Sequence, residues 1–500
     1  MQGNAIVKST DKRILIVAFD ALRPDMVTPE SMPNLTAFAA AGVRFSHSRA
    51  TFPTETRVNQ SALVTGCTPT RHGIVGNKFL DPVAAPNDLF NTGDETALAA
   101  GDRRLGGKLM GVPVLGEILA GHGMSLAVIS AGTPGGTRIL HHKAESLGGF
   151  RFSLHRPDAS VPAARIAAVI DRIGPIPKHE IPSLTWLSYA TDAYLEYLEP
   201  ELAPEVAILW LCEPDNSYHY RGIGSPENLA AIRHADAEFG RILDRRRASG
   251  LGDRLQIVTV SDHGQLTIAG AALNLRAKLT EAGFSVGETP GAGGEEGAEK
   301  GAELTLVLGG TIGITLRDSD PGHIDSVVAW LQDQPWCGPI LTRDGRGCLT
   351  HRQAGLDHPR APDIVLVPRS DAAANAHGLP GSCRHDSDYP AGGGTHGGLH
   401  PIELNTWLAM AGDAFVGGTV STLPTGIVDV LPTVLHLLGL EAPPGTQGRV
   451  LREALADHAD EPRPAAVETV HSAESAAGRR SHLSVSTVAG TTYLNRGWVE

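Results

Sequence analysis

The 500-residue sequence has few cysteines, few aromatic side chains and no excess of positive charge. Its five cysteines are scattered, without a CxxC pair or a regular spacing, which argues against a disulfide framework and favours free thiols in a reducing compartment. The 42 basic residues are outnumbered by 55 acidic ones, which gives a formal net charge of −13. Because nucleic-acid polymers and anionic membranes are bound through basic surfaces, we expect neither as a partner.

Long apolar runs are also missing. No uncharged stretch approaches the roughly 18 residues that a membrane-spanning helix needs. Residues 1–20 contain no apolar run followed by a small-residue cleavage site, so they do not resemble a signal peptide. These absences predict a cytoplasmic protein. The strand-like segment at 482–500 could pair two subunits, so a monomer and a homodimer both stay open.

Short β-branched runs, each ending in a polar cluster, recur along the chain. Nearly continuous apolar runs of this kind are typical of strands that are covered on both faces, as in parallel α/β sheets. Helical patterns lie between them, which predicts βαβ units and a doubly wound sheet. The clearest strand patterns are at 13–20, 125–132, 206–215, 255–264 and 362–368, and the clearest helical patterns are at 31–43, 113–123, 226–250 and 426–440.

Two segments interrupt this alternation and are predicted to be insertions that form a cap. Residues 136–204 have weak periodicity, and residues 266–358 contain a Gly/Glu-rich loop at 287–303. The predicted organisation is a core in three parts (12–135, 205–265 and 359–450), a cap in two parts (136–204 and 266–358) and a C-terminal tail with edge strands (451–500).

Three aspartates and three histidines lie at the ends of predicted strands or in glycine-rich loops. Alone, each is more often a turn, capping or solvated residue. Ligands of doubly wound sheets bind beyond the carboxyl ends of the strands, so we expect these side chains to meet. Mixed imidazole and carboxylate ligands suit Zn²⁺, with Mn²⁺ or Fe as substitutes, and six ligands predict two divalent ions. The six residues are Asp20, Asp215, His219, Asp262, His263 and His396.

The sequence motifs around these residues, taken in their order along the chain, resemble those of the alkaline phosphatase superfamily, in particular its type I phosphodiesterase/nucleotide pyrophosphatase branch. They are also similar to those of phosphonoacetate hydrolase. The resemblance implies an α/β three-layer sandwich with a central, mostly parallel sheet and a cap formed by insertions. The segments that carry it are LIVAFDALRPD, MPNLTAFAAAGVRF, FPTETRVNQSALVTGCTPTRHGIVGNKF, EPDNSYH, VSDHGQ, GTHGG and IVDVLPTVLHLLGL.

The resemblance also implies a nucleophile. Family members read P-[ST]-x-T followed by Asn, which carries the role over to Thr56, with Asn59 as donor to a developing phosphoryl oxygen. A threonine hydroxyl needs a base or a metal to lower its pKa, and the free amides of a helix start attract a phosphoryl group. A simple helix cap is the alternative role for Thr56. The implied metal sets are Asp20, Asp262 and His263 beside Thr56, and Asp215, His219 and His396.

The sequence departs from the family directly after Thr56. Many nucleotide pyrophosphatases carry there an aromatic residue that holds the base, whereas this chain has Arg57. We predict that Arg57 and Lys78 contact the substrate, since arginine binds phosphate, phosphonate or carboxylate with two hydrogen bonds. The alternative, that Arg57 is solvated or paired with Glu55, stays open.

The prediction is thus two-metal-dependent hydrolysis of a small-molecule phosphodiester through a phosphothreonine intermediate. Phosphonate hydrolysis of the phosphonoacetate-hydrolase type is an alternative, favoured by the HGIVGNKFLDP segment and the lack of a signal peptide. Phosphomonoester hydrolysis is another, because Arg57 and Lys78 could neutralise the additional charge of a monoester. A metal-binding scaffold without activity is a fourth interpretation, against which the complete ligand set argues.

Overall fold

The computed structural model describes residues 12–86, 88–287 and 302–500. Its largest sheet has eight strands, with the strand Arg13–Phe19 between two parallel neighbours. Only Leu408–Ala411 runs antiparallel to the strands on both of its sides. The predicted central, mostly parallel sheet is therefore confirmed. Its strand order is Thr419–Ser421, Val43–Phe45, Leu408–Ala411, Leu255–Val260, Arg13–Phe19, Val206–Leu211, Leu126–Ser130 and Phe150–Ser153.

Alternate residues of the central strands bury into two separate hydrophobic clusters. Ile14 and Ile16 pack on one face of the sheet, and Leu15 and Val17 pack on the other. Helices cover both faces, so the strands are apolar throughout and show no alternation with polar residues. One face is covered by Thr56–Thr65, Glu95–Arg104, Leu115–Gly121, Pro134–Leu140 and Val430–Leu437, and the other by Pro33–Ala41, Ala163–Ile173, Leu184–Ala193 and Pro226–Ala248.

A second sheet of five strands has its own hydrophobic cluster. One of its strands, Ile364–Pro368, pairs antiparallel with Ile312–Leu316 and Cys337–Thr342. We expected this run in the central sheet; a fully buried apolar run suits either sheet, so its pattern cannot tell them apart. The order is Leu304–Val307, Ile312–Leu316, Ile364–Pro368, Cys337–Thr342 and Leu349–Thr350, with the helices Leu275–Glu281 and Pro321–Gln332 beside it.

Residues 136–204, predicted as the first part of a cap, supply an edge strand of the central sheet, Phe150–Ser153, and helices that cover one of its faces. Residues 266–358 contribute most of the second sheet. The predicted domain boundaries themselves stay a prediction. Most of the Gly/Glu-rich loop predicted at 287–303 lies outside the described residues.

The C-terminal tail forms a separate antiparallel sheet of Ala466–Glu474, Arg480–Val488 and Thr491–Val499. It docks on the core through Tyr493, Leu483 and Val485, which join the cluster that also holds Ile14. All five cysteines are free and buried. Among the described helices, none combines the length and the apolar composition that crossing a membrane requires.

Small sheets and short helices connect these layers. The sheets are Ser370–Ala374, Pro380–Cys383, Leu266–Ile268 and Gly394–Thr395; Asn405–Thr406, Ser48–Arg49 and Thr425–Gly426; and the hairpin Lys78–Leu80 with Leu89–Asn91. The short helices are Pro24–Met26, Pro69–His72, Ala144–Leu147, Pro157–Ala159, Tyr194–Leu202, Asp215–Arg221, Gly252–Arg254, Pro401–Leu404, Ile427–Asp429, Arg452–Ala454 and Ala456–His458.

Candidate functional site

The six predicted ligand residues meet at one edge of the central sheet. Asp20 directly follows the strand Arg13–Phe19, and Asp262 and His263 follow its neighbour Leu255–Val260. Since parallel strands end at the same edge, the sheet itself brings these side chains together. Asp215 and His219 lie on the helix after the other neighbour, and His396 follows the short strand Gly394–Thr395.

The first predicted metal set surrounds His263 and lies beside Thr56, the predicted nucleophile. Nε2 of His263 lies 3.1 Å from Oγ1 of Thr56. The same nitrogen lies 3.3 Å from Oδ2 of Asp262 and 3.8 Å from Oδ1 of Asp20. All four residues are buried. The structure therefore places the Thr56 hydroxyl against the ligand set to which the family resemblance assigned it.

The second predicted set is centred on Asp215. Its Oδ1 lies 3.3 Å from Nε2 of His219 and 3.8 Å from Nε2 of His396. Donor atoms of Asp20, Asp215 and His263 also lie within 4.8 Å of one another. The rings of His263 and His396 stack with centroids 3.9 Å apart. The two sets thus form one continuous cluster, in which Asp215 is shared.

Backbone carbonyls orient the three imidazoles. Nδ1 of His219 lies 2.8 Å from the Gly394 oxygen, and Nδ1 of His396 lies 2.8 Å from the Thr54 oxygen. Nδ1 of His263 contacts the Gly264 oxygen at 3.2 Å. A ring nitrogen that donates to a carbonyl leaves the opposite nitrogen as the lone-pair donor, so each Nε2 faces the cluster ready to bind a metal.

The carboxylates of the cluster fit a bound cation. Oδ1 of Asp20 and Oδ2 of Asp262 are buried and have no hydrogen-bond partner among the described residues. Burial, with neighbouring carboxylates, raises the pKa of Asp20, and mainly burial raises the pKa of Asp262 to about 8. Burial also lowers the pKa of His263 to about 3, which keeps its imidazole neutral. Unpartnered carboxylates beside neutral imidazoles are the donor set that divalent metals such as Zn²⁺ take.

Thr56 is the first residue of the helix Thr56–Thr65, and Glu55 occupies the capping position without a side-chain capping bond. Because the Thr56 hydroxyl bonds to His263, the structure favours a role in the site over a helix cap. Thr54 is held differently: its hydroxyl donates to the Gly398 oxygen at 2.9 Å and accepts from the Gly397 amide at 3.1 Å. Thr54 thus connects the segment that precedes Thr56, called the nucleophile loop after the predicted role of Thr56, to the loop of His396.

Asn59 is buried beneath the nucleophile loop. Its Oδ1 accepts from the Thr51 amide at 2.7 Å, and its Nδ2 donates to the Glu55 oxygen at 3.1 Å. In this arrangement its amide contacts the backbone of the loop instead of the cavity beside Thr56. Its role as a hydrogen-bond donor to a phosphoryl oxygen stays a prediction. The hydrogen bonds of the structure are those of a residue that positions the loop before Thr56.

A cavity of about 500 Å³ lies between the core and the second sheet, next to His396. Arg57 and Lys78, the two predicted substrate contacts, both line it. Lys78 is exposed, whereas Arg57 is partly buried, and burial lowers the pKa of its guanidinium.

Two residues in the cavity wall were not singled out from the sequence. Asn77 accepts the Arg57 amide on its Oδ1 at 3.1 Å, which leaves its Nδ2 for the cavity. Tyr389 stacks on the His219 ring, with centroids 3.8 Å apart. Asn77 lies in HGIVGNKFLDP, the segment in which the sequence pointed to Lys78 and not to its neighbour Asn77. Tyr389 lies in a glycine-rich loop that has no periodicity to interpret.

The sequence model of the type I phosphodiesterase / nucleotide pyrophosphatase family matches residues 14–399. The chain belongs to this family. The match includes all six clustered Asp and His residues and Thr56, and the central sheet with helices on both faces is consistent with the alkaline-phosphatase-like sandwich expected for family members.

Individual relatives are distant and longer than the matched region. A bis(5'-adenosyl)-triphosphatase enpp4 of Xenopus laevis is 24% identical over 265 residues, which are 53% of this chain and 49% of the relative. Human ectonucleotide pyrophosphatase/phosphodiesterase family member 7 is 24% identical over 261 residues, 52% and 49% of the two chains. A venom phosphodiesterase of Crotalus durissus collilineatus is 24% identical over 242 residues, 48% of this chain and 24% of the relative. The family member described here thus spans about half the length of the first two relatives.

Proposed function

We propose that this protein hydrolyses a small-molecule phosphodiester, with Thr56 as the nucleophile and a phosphothreonine intermediate. The observation that carries the proposal is the 3.1 Å contact between the Thr56 hydroxyl and Nε2 of His263, inside a buried cluster of carboxylates and imidazoles. Two divalent ions held by this cluster, Zn²⁺ by preference with Mn²⁺ or Fe as substitutes, would supply Lewis-acid charge for the hydroxyl and the phosphoryl oxygens. Asp20, Asp262, His263 and Thr56 would hold one ion, and Asp215, His219 and His396 the other.

The residues of the chain account for the course of the reaction. Oγ1 of Thr56 loses its proton to solvent and forms a bond to phosphorus, and the bond to the first ester oxygen breaks, so that this group takes up a proton from solvent and leaves as an alcohol. Water then cleaves the phosphothreonine, which releases a phosphomonoester and restores the Thr56 hydroxyl. The start of the helix Thr56–Thr65 would favour the negative phosphoryl group, and Asn77, which lines the cavity, would donate from its Nδ2 to one of the phosphoryl oxygens.

The names of the relatives support a phosphodiester over the other two reaction types. The relatives are named as a triphosphatase of a dinucleotide, a nucleotide pyrophosphatase/phosphodiesterase and a venom phosphodiesterase. We propose Arg57 and Lys78 as substrate contacts because both line the cavity. A cytoplasmic location and the choice between monomer and homodimer stay predictions from the sequence.

The first test compares three substrates on the zinc-loaded enzyme, each with and without a chelator: a nitrophenyl phosphodiester, the matching monoester and phosphonoacetate. We expect chelator-sensitive hydrolysis with preference for the diester. Thr56→Ala should lower the diester rate by roughly 10³-fold or more because it removes the hydroxyl that contacts Nε2 of His263. Thr56→Ser, which keeps a hydroxyl at this position, is the matched control and should retain measurable activity.

Two results would overturn the proposal. Undiminished hydrolysis by Thr56→Ala, with metal content unchanged, would exclude Thr56 as the nucleophile. A preference for phosphonoacetate or for the monoester would assign the site to one of the other two reaction types.

A further inference from the structure

The guanidinium of Arg57 is a cation in the cavity wall that is bonded to none of the described residues. Its Nε is buried and has no hydrogen-bond partner, and within the described parts of the chain its side chain takes part in no hydrogen bond and no ion pair shorter than 4.0 Å. A guanidinium offers five donors, and burying its charge is unfavourable unless an anion lies opposite. Arg57 therefore has free donors at a position where a ligand can reach them.

The carboxylates around Arg57 have other partners. Among the charged groups near Arg57, Glu55 has the largest electrostatic effect on the pKa of the guanidinium. Its Oε2 accepts a hydrogen bond from the backbone amide of Asn77. Asp20 and Asp215 also act on Arg57, and both belong to the proposed metal cluster, whose ions would neutralise them. Tyr389 completes the set of titratable groups that favour the charged guanidinium.

The other charged residues of the cavity do not supply a partner either. Arg360 is paired with Asp81 at 2.8 Å and also donates to the Gly73 and Leu109 oxygens, so its charge is already compensated. Asp386 accepts the amides of Asn274 and Leu275 at the start of a helix. Lys78 and Asp388 are exposed at the rim, where solvent reduces their electrostatic interactions.

Gly93 packs beside the guanidinium. A Cβ atom on Gly93 would lie 3.7 Å from Nη2 and 3.8 Å from Cζ of Arg57, and 3.2 Å from Oδ1 of Asn91. The guanidinium thus lies between the start of the nucleophile helix and the end of the hairpin Lys78–Leu80 with Leu89–Asn91. Asp20 and Asp215 of the cluster act electrostatically on Arg57, so a group that the guanidinium binds would lie near the reacting phosphorus.

We propose that the cavity contains a carboxylate subsite built on Arg57, and that the substrate is a phosphodiester whose second alcohol carries a carboxylate. The inference rests on the proposed function, because the phosphoryl group at Thr56 fixes one end of the substrate. Because Lys78 is exposed at the rim, Arg57 is the cation that lies deepest in the subsite, and it balances one negative charge. Its planar fork matches the two oxygens of a carboxylate. Glu55 and Asp388 in the same wall make the site less suited to a doubly charged phosphate.

The test uses three p-nitrophenyl phosphodiesters that differ only at the end of the second ester chain: a carboxylate, a carboxamide or a phosphate. For the wild-type enzyme we expect kcat/KM to be roughly tenfold higher for the carboxylate than for the carboxamide, the factor that a modest charge-assisted contact provides. Arg57→Gln should reduce this ratio to about one, and Arg57→Lys should keep part of it because the charge remains. Arg103→Gln, at an exposed arginine outside the cavity, is the control and should keep the wild-type ratio.

A ratio near one in the wild type, or an unchanged ratio in Arg57→Gln, would overturn the subsite. A preference for the phosphate-bearing ester would overturn the choice of carboxylate. If the wild type hydrolyses none of the three esters, the proposed function fails. The subsite is then tested separately, by measuring with calorimetry how tightly each ester binds to the Thr56→Ala variant. Tighter binding of the carboxylate ester, lost on adding Arg57→Gln, would support it without turnover; equal binding of carboxylate and carboxamide would overturn it.

Discussion

The two walls of the cavity are built in different ways. On the core side, Asp20, Asp262 and His263 stand beyond the ends of parallel strands, and His396 carries this cluster to the cavity wall. Backbone carbonyls orient the imidazoles of His219 and His396. The opposite wall, from the second sheet, includes the loop 308–311 between two strands of a hairpin, which offers mainly backbone. We infer that the core wall determines the chemistry and, through Arg57, part of the substrate choice. The opposite wall, called the cap wall because most of it comes from the predicted cap segment 266–358, limits what fits against the core.

The two walls pack on each other where the loop 308–311 of the cap wall meets the loop of His396. A Cβ atom on Gly310 would lie 1.9 Å from the His396 oxygen, and the Thr311 hydroxyl donates to the Gly397 oxygen. The position of a proposed metal ligand therefore depends on the cap wall as well. The comparison predicts that substitutions in the core cluster abolish activity, that substitutions at this contact reduce activity, and that substitutions in the tail leave activity unchanged.

The largest effect is expected on the core wall, from Asp262→Asn. The change removes a charged ligand whose Oδ2 has no other partner in the described structure, so about one of two bound ions should be lost. The diester rate should fall by roughly 10³-fold, since each ion contributes several kcal/mol of transition-state stabilisation. Metal analysis by mass spectrometry and the nitrophenyl assay measure the two quantities.

Asp236→Asn is the matched control, because Asp236 is equally buried but accepts the amide of Leu35 far from the cluster. It should keep the wild-type metal content even if it lowers stability. Unchanged metal content in Asp262→Asn would remove Asp262 from the ligand set.

A smaller effect is expected where the cap touches the core, from Gly310→Ala. The new methyl group would meet the backbone oxygen of His396, which cannot move aside as a flexible side chain can. A displacement of about 1 Å in a catalytic group can cost roughly 10²-fold in rate, and we expect a loss of that order in kcat. In the neighbouring control Gly309→Ala, the Cβ would lie 3.2 Å from the Thr311 oxygen, so the loss should be much smaller. Equal losses in both variants would show that the contact does not position His396.

The difference between the walls also explains what the sequence could predict. Asp20, Asp262 and Asp215 were recognisable because each ends a buried run or follows one, and the sheet places such ends side by side. The pattern of 362–368 predicted a strand but not its sheet, because both sheets bury their strands completely. Tyr389 and the loop 308–311 were beyond prediction because their positions depend on how irregular backbone packs across the cavity.

Away from the cavity, the core and the tail meet at a buried carboxylate, Asp429. Burial raises its pKa to about 6, above the ordinary value of about 3.9 that the unfolded chain has. The folded state therefore binds the proton more tightly, and the wild-type stability should fall as the pH rises from 4 through 6. Relative to Asp429→Asn, which has no proton to lose, we expect a decline of about 2 kcal/mol between pH 4 and pH 8. Urea unfolding across this range measures it, and parallel curves for the two proteins would contradict the raised pKa.

The smallest effect is expected from Tyr493→Phe in the tail. The Tyr493 hydroxyl donates to Oδ2 of Asp429 at 2.8 Å and accepts from Nε of Arg449 at 3.1 Å, so it links the last strand to the core. Its loss should lower the free energy of unfolding by about 1 kcal/mol near pH 5 and by more at pH 8, where the carboxylate is charged and loses a donor. Tyr197→Phe is the matched control, because the Tyr197 ring stacks on Phe150 and the structure shows no hydrogen bond from its hydroxyl within the described residues. The diester rate should stay at the wild-type level in both variants, because neither residue lines the cavity. A loss of rate in Tyr493→Phe without a matching loss of stability would mean that the tail acts on the site, and the division of roles between core, cap and tail would then be wrong.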